Sequence, residues 1–91
     1  MKLYWTAHAL SDLGRLYEFL AIRNQGAAAR ILRRLTNAPT RLLEHPRIGE
    51  RLDQFEPREV RRVLVGDYEV RYEIAAAEMY VLRVLHTREK R

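Results

Sequence analysis

The sequence predicts an α+β domain in which an N-terminal strand precedes an antiparallel helical hairpin that packs on a three-stranded antiparallel meander. Two observations predict this class. Apolar residues recur at helical spacing between residues 7 and 43, whereas Val, Ile, Leu and Tyr form three short runs between residues 58 and 88. The chain has 91 residues, of which 47% are hydrophobic, and this is enough for one core. We therefore interpret residues 1–91 as a single domain.

The composition excludes several kinds of protein. Without cysteine the chain can form neither a disulfide framework nor a thiolate metal site. No stretch approaches the roughly 20 apolar residues of a membrane span and no signal-peptide run opens the chain, so we expect a cytoplasmic protein without a membrane partner. Seventeen Lys and Arg against twelve Asp and Glu give a net charge of +5. This charge favours a nucleic acid, a nucleoprotein or an acidic protein segment as partner; a merely Arg-rich composition is the alternative.

The N-terminal residues predict one strand and one helix. Residues 2–5 are expected to form an outer strand, and Thr6 is placed to cap a helix that runs from Ala7 to about Arg23. Gly14 lies within this helix and is expected to permit the close approach of a neighbouring element. The apolar side is predicted to consist of Ala9, Leu10, Leu13, Leu16, Tyr17, Leu20 and Ala21, with Asp12, Arg15, Glu18 and Arg23 on the other side.

A second helix is predicted after residues 24–26, which break the apolar pattern and offer a capping residue. The short connection between the two helices predicts an antiparallel hairpin. Pro39 removes a helical hydrogen bond and clashes with a carbonyl, so we expect a kink or a break near residues 36–38. Residues 45–57 are expected to form the loop that returns to the sheet. The outer face of the helix carries Arg30, Arg33, Arg34 and Arg41, which we interpret as a solvated helix face.

The register of the three strands follows from a two-residue connection at Gly66 and Asp67, which closes a hairpin. It pairs Val65 with Tyr68, Val63 with Val70 and Arg61 with Tyr72. The side chains of Tyr68, Val70, Tyr72 and Ile74 then face the helices. If a three-residue turn at residues 76–78 joins the last two strands, Tyr72 lies opposite Leu82, Val70 opposite Val84 and Arg71 opposite Arg83.

The same register gathers Arg62, Arg71 and Arg83 in a row across the open face of the sheet. Like charges placed directly opposite each other destabilise a sheet by a few tenths to about 1 kcal/mol per pair. The row therefore needs flanking carboxylates, for which Glu69 and Glu73 are candidates, or an anionic partner bound by the guanidinium groups. If the row is a contact surface, replacing Arg71 and Arg83 with Gln should abolish function and leave the thermal midpoint equal or higher.

The order and spacing of these pieces resemble a known family. A short strand, a helical hairpin, the Leu43…Pro46…Gly49 spacing, REVRR, a Gly-Asp-Tyr turn, EVRYEI and a closing RVLHTR resemble the RelE/ParE superfamily of toxins from bacterial type II toxin–antitoxin systems. The resemblance implies a toxin that inhibits growth, takes part in plasmid stabilisation and needs no cofactor. It also implies a cognate antitoxin, encoded by the adjacent gene, that wraps the helical hairpin and the sheet edge in a hetero-oligomeric complex.

Two branches of this superfamily differ in activity, and residue matching favours the ParE-like branch. RelE-like toxins are ribosome-dependent ribonucleases that cut mRNA in the ribosomal A site, whereas ParE-like toxins are associated with inhibition of DNA gyrase. Here Tyr68 is followed by Glu69, where the ribonucleases usually carry Arg, and no Tyr follows the last strand. A carboxylate at position 69 would repel the phosphate that a ribonuclease must bind. The closing residues 84–88 also resemble ParE.

The resemblance therefore implies a toxin that acts on DNA gyrase by binding, without a catalytic residue. The alternatives are a ribosome-dependent mRNA endonuclease that uses His86, Arg71 and Arg88, and a non-toxic homologue that only binds partners. By parity His86 falls on the packed side near Tyr68, which favours a structural histidine. His8 and His45 are isolated, so no metal site is expected. The expected target-binding residues are the arginine row and the C-terminal tail: Arg62, Arg71, Arg83, Arg88, Lys90 and Arg91.

Overall fold

The computed structural model describes residues 1–89 and confirms the α+β class, with two helices packed against a five-stranded sheet. The elements in chain order are β1 (Lys2–Trp5), α1 (Ala7–Ala21), α2 (Gln25–Leu42), β2 (Glu50–Arg51), β3 (Glu59–Val65), β4 (Tyr68–Ala75) and β5 (Glu78–His86). Short 3-10 turns lie at Pro46–Ile48, Asp53–Phe55 and Thr87–Glu89. The strands lie side by side in the order β1-β5-β4-β3-β2. Over the described residues, neither helix is long and apolar enough to cross a membrane.

Both helices begin at the predicted caps. The Thr6 hydroxyl accepts the N–H of Ala9 at 3.2 Å, and the Asn24 side-chain oxygen accepts the N–H of Ala27 at 2.9 Å. Each oxygen satisfies one of the N–H groups that the first turn of a helix leaves unpaired. The Thr6 hydroxyl also donates to the carbonyl of Val81 at 2.8 Å, which fixes the start of α1 on β5.

Helix α2 runs without interruption through Pro39, so of the kink or break predicted near residues 36–38, the break is wrong. Pro39 is less than 2% exposed, and Ala38 and Leu42 in the same turn are also buried. A proline inside a helix costs about 3 kcal/mol through a lost hydrogen bond and a steric clash. Burial of this part of α2 in the core offsets that cost, because tertiary packing outweighs intrinsic propensity within a folded protein.

The sheet is mixed, since β1 lies parallel to β5 along the whole of its length. The helical hairpin and three other strands intervene in the chain, which gives the connection the length that a parallel pair requires. At the opposite edge β2 pairs with the centre of β3. Strand β2 lies within residues 45–57, which were expected to form a loop. The predicted antiparallel meander of β3, β4 and β5 is confirmed.

The predicted register between β3 and β4 is also confirmed. Val63 lies opposite Val70, and Arg62 lies opposite Arg71. The alternate residues of β4 that begin at Tyr68 therefore face the helices, as expected. One core cluster contains Ala9, Leu13, Leu35, Val70, Val81 and Val84, and a second contains Leu42, Tyr72, Ile74 and Met79.

The register between β4 and β5 differs from the prediction over half of its length. Tyr72 lies opposite Val81, so the predicted pairing with Leu82 is wrong. The turn contains two residues rather than three, and Ala76 and Ala77 have φ values of 51° and 65°. Positive φ at both positions is what a two-residue hairpin turn of this kind requires. The register shifts by one residue between Arg71 and Tyr72, because Leu82 of β5 has no partner on β4. From Arg71 back to Tyr68 the pairing is the predicted one, with Arg71 opposite Arg83.

Helix α1 packs most of the predicted apolar side on the sheet, but it is rotated relative to the prediction. Leu10 and Tyr17, assigned to the apolar side, are 54% and 39% exposed, whereas Asp12, assigned to the polar side, is 5% exposed. No atom of a neighbouring element lies within 4 Å of the position that a Cβ on Gly14 would occupy, so the predicted close approach does not occur among the described residues. The rotation has a cause in β5, whose backbone and Arg83 bind Asp12.

Candidate functional site

The arginine row lies on the face of the sheet that points away from the helices. Arg62, Arg71 and Arg83 stand side by side on β3, β4 and β5, as the register predicts. The 3-10 turn Asp53–Phe55 covers part of this face and places the ring of Phe55 5.5 Å from the guanidinium carbon of Arg71. A guanidinium group is attracted to the face of an aromatic ring. The face that was expected to be open is therefore partly covered.

A buried carboxylate holds two members of the row. Glu69 is fully buried, and its two oxygens accept hydrogen bonds from Arg62 Nη1 and Arg71 Nε, both at 3.0 Å. One of the two arrangements that the sequence left open, a flanking carboxylate, is therefore present at Glu69. Glu73, the other candidate flank, accepts hydrogen bonds from Arg58 at 2.8 and 3.0 Å instead.

The third arginine of the row is held by a residue from helix α1. Asp12 accepts hydrogen bonds from Arg83 Nε and from the backbone N–H of Val84, both at 2.9 Å. Strand β1 ends opposite Val81, so beyond that point no strand among the described residues lies along the outer edge of β5. The Asp12 carboxylate satisfies a backbone donor on this edge and places a negative charge beside the row.

The environment of Asp12 keeps its carboxyl group ionised. Burial raises the pKa of Asp12, but the hydrogen bonds from Arg83 and from the N–H of Val84, together with the charges of Arg83 and Arg15, hold it below its ordinary value of 3.8. This role of Asp12 was not predicted from the sequence. A signal was present, since Ala9 and Leu16 flank Asp12 at helical spacing and place the acid at the border of the apolar side.

These contacts change the effect on stability that we expect when arginines of the row are replaced. Arg71 and Arg83 each bind a buried carboxylate, so replacing them with Gln leaves Glu69 and Asp12 with fewer cationic partners. Breaking a buried pair in this way destabilises a protein. We therefore expect a lower thermal midpoint in place of the equal or higher one predicted from like-charge repulsion.

His86 lies near the end of β5, on the face that the helices cover. It stands opposite Tyr68, with the two rings edge-on and their centres 5.2 Å apart, and its Nδ1 accepts the N–H of Arg88 at 3.1 Å. Arg71 points to the opposite face because successive side chains of a strand alternate. The structure therefore does not bring His86, Arg71 and Arg88, the alternative catalytic set, onto one face of the sheet.

The remaining predicted site residues lie at the end of the chain. Arg88 is exposed in the 3-10 turn Thr87–Glu89, whereas Lys90 and Arg91 lie outside the described residues. His8 and His45 are exposed. Within residues 1–89, no three His, Asp or Glu side chains come together in a way that could hold a metal ion.

The fold and its arginine-bearing sheet define a small α+β domain in which two buried carboxylates, Glu69 and Asp12, hold the arginine row. A family model described as the ParE toxin of the type II toxin–antitoxin system, parDE, matches residues 3–91. The chain belongs to the ParE toxin family and is the toxin component of a type II toxin–antitoxin system, in which its partner is an antitoxin. The resemblance to the RelE/ParE superfamily is thereby confirmed.

Two known proteins are similar along almost their whole length. Toxin RelE2 of Caulobacter vibrioides is 33% identical over 85 residues, which are 93% of this chain and 93% of that protein. A chain of the chromosomal ParDE TA system from P. aeruginosa superimposes with a TM-score of 0.80 at 19% identity, over 94% of this chain and 95% of its own. At this low identity, the superposition shows that the two chains share a fold.

Proposed function

We propose that this toxin inhibits growth in the cytoplasm by binding DNA gyrase, and that Arg62, Arg71 and Arg83 form part of the contact. The observation that carries the proposal is the position of Glu69. This fully buried carboxylate binds both Arg62 and Arg71 at the centre of the row. Its negative charge opposes the binding of a phosphate there, while it holds the two guanidinium groups in fixed positions.

The geometry supports binding over chemistry. Cleavage of RNA by attack of the 2′-hydroxyl needs a base, an acid and a cation around one phosphate. His86 and Arg71 point to opposite faces of the sheet, and Arg71 shares its carboxylate with Arg62. Arg62 and Arg71 keep 24% and 17% of their side chains exposed. Arginines held in this way lose little conformational freedom when they donate to a partner's carbonyl groups.

Two assays test this function. The purified toxin should inhibit the supercoiling of relaxed plasmid by gyrase, and an Arg62→Gln variant should inhibit it less. An Arg47→Gln variant is the matched control, because Arg47 is an ion-paired arginine in the 3-10 turn Pro46–Ile48, outside the row. Primer extension on cellular mRNA after toxin induction should show no new cuts. Cuts at codon positions together with normal supercoiling would refute the gyrase proposal.

A second candidate function is ribosome-dependent cleavage of mRNA. The name of the relative Toxin RelE2 and the position of His86 next to the exposed Arg88 favour it. In that case His86 and Arg88 would act at the end of β5 without Arg71. The same primer extension, repeated with His86→Gln, separates the candidates, since only an endonuclease would lose cuts in the variant.

We also propose that the antitoxin wraps around the exposed sides of α1. Four large apolar side chains are exposed along this helix and at its end, namely Leu10, Tyr17, Phe19 and Ile22, with exposures of 54%, 39%, 60% and 86%. At 3.6 residues per turn, the first two lie on one side of the helix and the last two on another. Protein interfaces bury aromatic and aliphatic anchors of this kind at their centres. Helix α1 is therefore the part of the hairpin that best fits a wrapping protein segment.

A further inference from the structure

The ion pairs of the described residues are distributed unevenly between the sheet and helix α2. On the sheet and its loops, arginines pair with carboxylates, as in Arg47–Glu59, Arg58–Glu73 and Arg62–Glu69. Helix α2 contains no acidic residue. Within the described part of the chain its four exposed arginines form no ion pair: Arg30, Arg33, Arg34 and Arg41.

The four arginines form one stripe along α2. At 3.6 residues per turn, residues 30, 33, 34 and 41 fall within about 100° of arc, and Asn37 lies among them. The stripe is about 16 Å long, because each residue adds about 1.5 Å along the axis. Arg30 lies three residues from Arg33 and four from Arg34, so in the isolated protein these side chains repel one another. A bound polyanion would relieve that repulsion.

The chemistry of the exposed face indicates what kind of polyanion fits. Every other exposed residue of α2 is polar or Gly: Gln25, Gly26, Thr36, Asn37 and Thr40. Arg, Thr, Asn and Gln side chains are the groups that contact nucleic-acid phosphates. A protein partner instead buries aromatic and aliphatic anchors, which α1 exposes and α2 does not. The exposed face of α2 also has no aromatic side chain on which the bases of a single strand would stack.

We propose that the arginine stripe of α2 binds the phosphate backbone of duplex DNA without reading its base sequence. The choice of DNA over RNA rests on the proposed gyrase target, which acts on duplex DNA; the choice of a phosphate backbone rests on α2 alone. In this arrangement α1 faces a protein and α2 faces a nucleic acid, so the two helices of the hairpin have different partners. The solvated-face interpretation of α2 would then be wrong.

A binding experiment without gyrase tests this proposal. Fluorescence anisotropy measures the affinity of the full-length toxin for a short labelled DNA duplex of arbitrary sequence at a series of salt concentrations. If all four arginines contact phosphates, the slope of log K against log salt should be about −3.6. An Arg30→Gln/Arg33→Gln variant should bind at least tenfold more weakly, with a slope shallower by about 1.8. Its thermal midpoint should be unchanged or higher, because Gln is a good helix former and two like charges are removed.

The control is Arg47→Gln/Arg58→Gln, which removes the same charge from two exposed, ion-paired arginines outside α2. It should bind DNA like the unaltered protein. If the toxin does not bind DNA, or if both double variants lose the same affinity for DNA, the proposal that the stripe binds DNA is wrong. Tighter binding of an RNA duplex would overturn the assignment to DNA. Displacement of the DNA by an acidic peptide at equal charge concentration would point to a protein ligand and overturn it as well.

Supercoiling assays with the same variants keep this inference separate from the proposed function. DNA binding that depends on α2, in a toxin that leaves gyrase active, would refute the gyrase proposal and support the stripe. The opposite result is that the unaltered toxin does not bind DNA and the α2 variant still inhibits gyrase fully. That result would refute DNA binding by the stripe and leave the gyrase proposal standing.

Discussion

The carboxylate of Asp12 accepts the backbone N–H of Val84 at 2.9 Å, so a side chain of α1 occupies a hydrogen-bonding position that a neighbouring strand would otherwise fill. The same carboxylate binds Arg83. The contact therefore links three features of the toxin: the orientation of α1, the protection of the β5 edge, and the placement of one arginine of the row. An exposed strand edge is a site of unwanted pairing, and this acid covers part of one.

Replacing Asp12 with Asn should lower the free energy of unfolding at neutral pH by roughly 2 kcal/mol, because hydrogen bonds to charged groups contribute about 1.5–3 kcal/mol. Folding lowers the pKa of Asp12 below 3.8, so its contribution is complete above that value and is lost as the pH falls through the lowered pKa. Urea unfolding between about pH 3 and about pH 7 should show the unaltered protein approaching the Asn variant at the acid end.

Glu18→Gln is the control for this series, since Glu18 is an exposed carboxylate of the same helix. It should change the stability little at any pH. If the difference in free energy of unfolding between the unaltered protein and the Asp12→Asn variant stays constant across this pH range, the role assigned to the ionised carboxylate is wrong.

Replacing Glu69 with Gln should destabilise the sheet. The variant keeps the shape of the side chain but leaves Arg62 and Arg71 adjacent without the buried charge that binds both. We expect a loss of roughly 3 kcal/mol, at the lower end for breaking a buried pair, because both arginines keep contact with water. Glu73→Gln is the matched control on the same strand, and its partner Arg58 is 53% exposed. That change should cost no more than about 1 kcal/mol, and equal losses would argue against a special role for Glu69.

Replacing Gly49 with Ala should also destabilise the protein, because a Cβ there would lie 2.5 Å from the hydroxyl of Tyr72 and 2.7 Å from the carbonyl of Arg62. Tyr72 donates to the carbonyl of Pro46 at 2.6 Å and accepts the N–H of Gly49 at 3.1 Å. Burial raises the pKa of this hydroxyl above its ordinary value of 10.0, so it remains a donor at neutral pH.

We expect Gly49→Ala to cost about 1–3 kcal/mol by overpacking and Tyr72→Phe to cost about 1–2 kcal/mol in lost hydrogen bonds. The double variant should lose less than the sum, because removal of the hydroxyl makes room for the new methyl group. Chemical denaturation of the four proteins measures this coupling, and strictly additive losses would show that the two positions do not share the contact.

Replacing Leu10 and Ile22 with Gln should weaken binding of the cognate antitoxin at least tenfold, if the antitoxin covers α1 as proposed. Both side chains are exposed in the toxin alone, so its thermal midpoint should stay within a few degrees. Calorimetric titration of the antitoxin measures the affinity. Ile48→Gln serves as the control, because Ile48 is 71% exposed but lies outside the hairpin. Equal affinities in all three proteins would place the antitoxin elsewhere.

Local sequence signals predicted the parts of the fold in which neighbours in the chain decide the structure. Thr6 and Asn24 cap the helices because their oxygens need only reach an N–H three residues ahead. The turn at Gly66 and Asp67 set the β3–β4 register, which in turn placed Arg62 beside Arg71. The turn at residues 76 and 77 is one residue shorter than predicted, since two alanines with positive φ carry no Gly or Asn signal.

The sequence by itself determined the fold class, the two unlike faces of the meander, the arginine row and the family. These follow from periodicity and from the order of short segments, which act over a few residues. Only the tertiary structure decided which charges are neutralised. Asp12 lies 71 residues from Arg83 in the chain, and their pairing depends on how α1 rests on β5. Burial of Glu69 likewise depends on its surroundings in the folded sheet. Because those contacts pair the sheet arginines and, within residues 1–89, leave the α2 arginines without an ion pair, the folded chain presents a basic helix that no local pattern distinguishes from a solvated one.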